Sequence, residues 1–271
     1  VINKKNIIPV VIAVLLGLSV IITEAGVLDE LNITSIGLLT LPLKTALYAA
    51  AAFLAWRRYK KFDTCFYRWV TISLALYLVL GMENWLFKQI NFPLQPSPEL
   101  SFYDAVNLAN IFLQQGGSIL FTVLLVYAIS IYDKQVEFFK VFKPRWLILL
   151  CSFFTLGVII SVLTINQQQN DLNFAGFMII AGLKIIIYFY GIVIASQKLK
   201  VSIIKWFFAF FTVGALSDVV ILMNNLLIFI TKNSFYPMFQ IYVLQAAALI
   251  MPALLVAAFL INIEKNAANI K

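Results

Sequence analysis

Long apolar runs alternate with short polar connections along the whole chain, and the runs share one length. Stretches of about 20 residues, enough to cross roughly 30 Å of hydrocarbon at about 1.5 Å per residue, can be drawn at 6–23, 35–56, 69–88, 104–131, 146–165, 174–195, 206–230 and 238–263. The pattern predicts an all-α integral membrane protein, a single bundle of eight transmembrane helices. The run at 6–23 has no small-residue cleavage site and more spans follow at once, so it reads as a retained helix and not a removed signal peptide. The Phe92 to Tyr103 connection carries Pro93, Pro96 and Pro98 and reads as an extended turn or a lid over the outer mouth. No tandem repeat stands out along the chain.

Composition supports the membrane setting. Of 271 residues, 62% are hydrophobic and 12% charged, with mean hydropathy +0.95, outside the range of soluble domains of this length. The cations then orient the chain. Lys4, Lys5, Arg57, Arg58, Lys60, Lys61, Arg68, Lys134, Lys140, Lys143, Arg145, Lys198, Lys200, Lys205, Lys265 and Lys271 fall on one side of the predicted membrane, and only Lys88 and Lys232 on the other. By the positive-inside rule both termini are cytoplasmic, as an even number of spans requires, and the expected location is a bacterial inner (plasma) membrane. The +8 charge thus reports topology and not nucleic-acid binding, since the cations are spread over five short segments beside aromatic anchors.

The chain has no histidine, which removes His-ligated haem, most catalytic zinc sites and Ser-His-Asp or Cys-His mechanisms. No metal or cofactor is expected. Cys65 and Cys151 read as reduced and structural, and no glycine-rich phosphate loop is present. Chemistry is left to carboxylates, lysines, amides and hydroxyls within the bundle.

Four ionisable residues interrupt the apolar runs: Lys44, Glu83, Lys184 and Asp218. A charge at the bilayer centre costs from about 2.5 to well above 10 kcal/mol, so such residues face one another or a wet cavity and mark functional sites. Lys44, Lys184, Gln114 and Asp218 fall near the midplane, and Glu83 lies nearer the outer end of its span. Tyr242 and Gln245 share a helix face three residues apart, while Asn224 and Asn225 continue the Asp218 helix outward. Together they predict a polar pocket opening from the middle of the bundle toward the outer leaflet. Interhelical hydrogen bonding is the alternative reading of the amides, and a structural ion pair that of the charges.

Gly214-Ala215-Leu216-Ser217-Asp218, followed by Tyr242-Val243-Leu244-Gln245, resembles the seventh- and eighth-helix signatures of the YhhN family of lysoplasmalogenase-like membrane proteins. Lys44-Thr45 is similar to the family's Lys-Pro segment, and Gly81-Met82-Glu83 sits where the family has Gly-Asp. Gln114 to Tyr127 sits where it has a Gly-containing run with a His and a Tyr. Here Pro42 precedes the lysine, the carboxylate is a Glu one residue late, and the fourth-helix His is absent.

The resemblance implies an eight-span fold and metal-free hydrolysis of the vinyl ether bond of a lysoplasmalogen, a lysophospholipid-like substrate entering from the membrane. Protonation of carbon and attack by water suit one protonated and one ionised carboxyl. Asp218 and Glu83 are the expected catalytic pair. Lys44 and Lys184 would tune charge or meet the phosphate, Tyr242 and Gln245 would place water or substrate, and Gln114 and Asn224 would line the substrate site. The alternative is a non-enzymatic protein that binds, senses or transports a lipid or small solute, with Pro42 and Pro252 as candidate helix breaks.

Overall fold

The computed structural model describes residues 33–91, 100–132, 137–165, 170–231 and 237–261. These form α1 (Ile33–Phe62), α2 (Cys65–Asn91), α3 (Leu100–Ser130), the short α4 (Phe138–Val141), α5 (Pro144–Ile165), α6 (Asn170–Ser196), α7 (Ser202–Thr231) and α8 (Pro237–Ile261). Among the described residues there is no strand. Seven of the predicted apolar runs fall on the seven long helices, and 6–23 lies outside the described residues.

Several helices outrun the apolar pattern because backbone hydrogen bonding continues where hydrophobicity stops. In α1 the helix carries on through Arg57 to Phe62, and Arg58 donates from Nη2 to the Phe259 carbonyl of α8 at 2.9 Å. Asp63 then ends it with φ of +45°, its N–H donating back to the Tyr59 carbonyl at 2.7 Å. This left-handed residue turns the chain into α2 two residues later. On the far side α3 already begins at Leu100, so the proline-rich connection is shorter than Phe92 to Tyr103. Both α1 and α8 run unbroken through Pro42 and Pro252, so the helix breaks expected at these prolines are absent. The short α4 has no counterpart among the predicted elements.

Neighbour packing closes a ring in the order α1, α2, α3, α6, α7, α8 and back to α1, while α5 lies outside it against α6 and α3. One end of the ring is basic. There Lys198 Nζ donates to the Ile129 and Ser130 carbonyls at 3.1 and 2.9 Å, capping the end of α3, and the Tyr190 hydroxyl donates to the Val141 carbonyl at 3.1 Å. Above these contacts the interior is filled by aromatic side chains. Phe66 packs edge-on to Phe207, Phe207 to Phe259 and Phe121 to Phe210, and Phe121, Phe207, Phe210, Phe211 and Phe259 are fully buried.

Large apolar side chains also stand on the outside. Phe53, Val79, Ile148, Phe189, Leu216 and Ile230 are exposed on five different helices, and exposed apolar surface of this kind marks contact with lipid or with another protein. Met178–Ser196 and Ser202–Leu227 are long and apolar enough to cross a membrane, and Cys65–Leu80, Gln115–Ser130, Pro144–Ile160 and Ala246–Leu260 are shorter apolar helices.

Candidate functional site: a lysine–aspartate pair in the ring

Asp218 follows Gly214 by one turn on α7 and meets Lys184 of α6, with Nζ 3.5 Å from Oδ2. Only 21% of the lysine side chain and 13% of the aspartate side chain are exposed. At that separation the contact is an ion pair at the outer limit of hydrogen-bond length. Asp218 Oδ2 is removed from solvent and has no other donor among the described residues. A buried carboxylate oxygen with accepting capacity to spare can orient a hydroxyl or a water.

Beside the pair lies a group of hydroxyls. Tyr188, one turn from Lys184, packs its ring so closely on α7 that a Cβ at Gly214 would lie 2.7 Å from it. Only glycine allows this approach. The Tyr188 hydroxyl lies near Thr122 of α3, whose own hydroxyl donates to the Ser118 carbonyl at 2.9 Å. Across the ring, Tyr48 of α1 and Tyr77 of α2 pack their rings together, with centroids 4.5 Å apart. Lys44, one turn from Tyr48, holds its Nζ 5.5 Å from the Tyr77 ring centroid, a cation–π contact.

The structure therefore brings Lys184 and Asp218 together and places Lys44 against the tyrosine side of the same interior. Asn224, six residues beyond Asp218, is buried at 3% exposure. Glu83, Gln114, Tyr242 and Gln245 lie on α2, α3 and α8, with side chains outside the described residues. Tyr48, Tyr77, Thr122 and Tyr188 were not expected at the site. Their signal was present in the chain as Lys44 to Tyr48 and Lys184 to Tyr188, each a lysine with a tyrosine four residues on and so on the same helix face.

Other hydroxyls are used locally. Thr71, Ser73, Thr212 and Thr231 donate to carbonyls three or four residues back in their own helices. Among the described residues no group of His, Cys, Asp and Glu is placed to hold a metal ion. A surface cleft of about 650 Å³ lined by Lys143, Arg145 and Trp146 opens at the basic end where α5 begins, away from Asp218. No protein-family model, curated protein or solved structure matches this chain.

Proposed function

We propose that this chain is an eight-span bundle of a bacterial inner membrane with cytoplasmic termini, and that its interior hydrolyses the vinyl ether of a lysophospholipid-like substrate. The observation that carries this reading is the largely shielded Lys184–Asp218 pair, whose Oδ2 has no donor besides Lys184 among the described residues. In this reading Asp218, held beside Lys184, takes the role of base and Glu83 that of acid. Glu83 delivers a proton to the β-carbon of the vinyl ether, and the ether oxygen stabilises the cation left on the adjacent carbon. Water attacks that carbon as Asp218 takes its proton. The hemiacetal then collapses to a fatty aldehyde and a glycerophospho alcohol, so that one water is consumed and both carboxyls return to their starting states. Lys44 is the cation left to meet the phosphate.

Transport is disfavoured by two features. The helices carrying Pro42 and Pro252 are continuous, and the Phe121, Phe207, Phe210 and Phe259 layer fills the interior between the ion pair and the basic end. The test is aldehyde release from a lysoplasmalogen by the detergent-purified protein, with Asp218→Asn and Glu83→Gln alongside. Loss in both well-folded variants is expected. No release by well-folded wild type would sink the hydrolase and leave lipid or small-solute binding.

A further inference from the structure

The two lysine–tyrosine steps at the site are written in the same letters. Leu43-Lys44-Thr45-Ala46-Leu47-Tyr48 and Leu183-Lys184-Ile185-Ile186-Ile187-Tyr188 share Leu-Lys and the tyrosine four residues after the lysine. Each step is followed on the next helix by a carboxylate, Glu83 on α2 and Asp218 on α7, and on the helix after that by a glutamine, Gln114 on α3 and Gln245 on α8. The order lysine, carboxylate, glutamine thus occurs on α1, α2, α3 and again on α6, α7, α8. Nothing tandem is visible because about 130 to 140 residues separate corresponding positions.

The packing repeats in the same sense. Within each half, consecutive helices touch, α1 with α2 and α2 with α3, then α6 with α7 and α7 with α8. The halves are joined by α1 against α8 and by α3 against α6. Exchanging the halves turns each of these two joints into the other, as a two-fold axis along the ring requires. Residues related by such an axis meet when they lie near it. Tyr48 and Tyr188 are both buried and are linked through the interior by ring contacts, Tyr48 to Phe121 at 5.8 Å, Phe121 to Phe210 at 6.0 Å and Phe210 to Tyr188 at 6.5 Å between centroids.

We infer that α1–α3 and α6–α8 are two copies of one three-helix unit related by a pseudo-two-fold axis through the ring. The site then draws on two corresponding sets of residues, Lys184 and Asp218 in the second half and, at the same places in the helix order, Lys44 and Glu83 in the first. This deepens the hydrolase reading: its two carboxyls are one ancestral residue contributed twice. Two carboxyls sharing one apolar interior do not both ionise freely, so an equivalent pair would divide the acid and base roles. The duplication itself rests on the ring and the motif, and stands without the reaction.

The experiment is a pair of double-mutant cycles read by thermal unfolding of the full chain in detergent, with no substrate present. One cycle uses Lys184→Met and Asp218→Asn. The other uses Lys44→Met and Glu83→Gln, neutral replacements chosen so that each variant remains foldable. Each single variant is expected to lower the midpoint, and each double variant to sit about 5 °C above the sum of its singles. Coupling in the second half with strict additivity in the first would overturn the inference. So would coupling of Lys44 to Asp218 equal to that of Lys184. Aldehyde release decides the other question independently, since both couplings in a protein that releases none would retire the hydrolase and keep the duplication.

Discussion

At the scale of single residues, the deciding feature is a charge pair whose members are stable only together. Leaving Lys184 or Asp218 buried alone costs on the order of 3–5 kcal/mol, whereas removing both is often neutral. Asp218 and the lysines were legible in the chain because a charge within an apolar run has no inexpensive placement. The tyrosines were not, since a tyrosine in such a run is equally at home at a lipid interface, and only the approach of Tyr188 to Gly214 shows which way it turns. Two glycines test that contact. Gly214→Ala would drive a methyl into the Tyr188 ring at 2.7 Å and toward Met251 at 3.0 Å, with an expected loss of about 1–3 kcal/mol. Gly182→Ala meets nothing within 4 Å, and its expected gain is up to about 1 kcal/mol from helix propensity. Circular dichroism melts of both in the same detergent check this, and equal behaviour would contradict the packing.

At the scale of elements, the apolar pattern located the long helices and misjudged their ends. Hydrophobicity stops at the membrane boundary, but a helix stops where its backbone groups find other partners. The α1–α2 turn depends on Asp63 at φ of +45°, a conformation that costs a residue other than glycine about 1 kcal/mol. Asp63→Gly is therefore expected to raise stability by several tenths of a kcal/mol up to about 1. Replacing Lys198 by Met, which strips the Ile129 and Ser130 carbonyls of their donor, is expected to lower it by about 1 kcal/mol. Chemical unfolding of both variants in mixed micelles gives the sign of each change. A loss on Asp63→Gly would mean that the carboxylate, not the backbone, matters at the turn.

For the molecule as a whole, the two cysteines report where water ends. Both are free and exposed, so in water both should react. Cys65 opens α2 at the basic end, while Cys151 lies seven residues into α5, about 10 Å along its axis. In the bundle proposed above, a membrane-impermeant maleimide is expected to label Cys65 from the cytoplasmic face alone. Cys151 should stay protected in the bilayer, with its thiol in hydrocarbon, and become reactive after denaturation. Rapid labelling of both in intact vesicles would remove the membrane placement.

What the sequence determined by itself is the one-dimensional part: seven helical segments found in the structure, the clustering of cations in alternate connections, and the polar residues that an apolar run does not tolerate. Each is a property of local composition and spacing, and needs no knowledge of neighbours. Tertiary structure alone decided that α3 packs against α6 and α1 against α8, that Lys184 and not Lys44 lies 3.5 Å from Asp218, and that Lys44 meets the Tyr77 ring. Those choices are made by the shapes of apolar surfaces closing a ring, and hydropathy along the chain is blind to shape. The repeated lysine–tyrosine step shows the difference. Its letters were always in the chain, but two similar steps 140 residues apart acquire meaning only when folding places Tyr48 and Tyr188 in one interior.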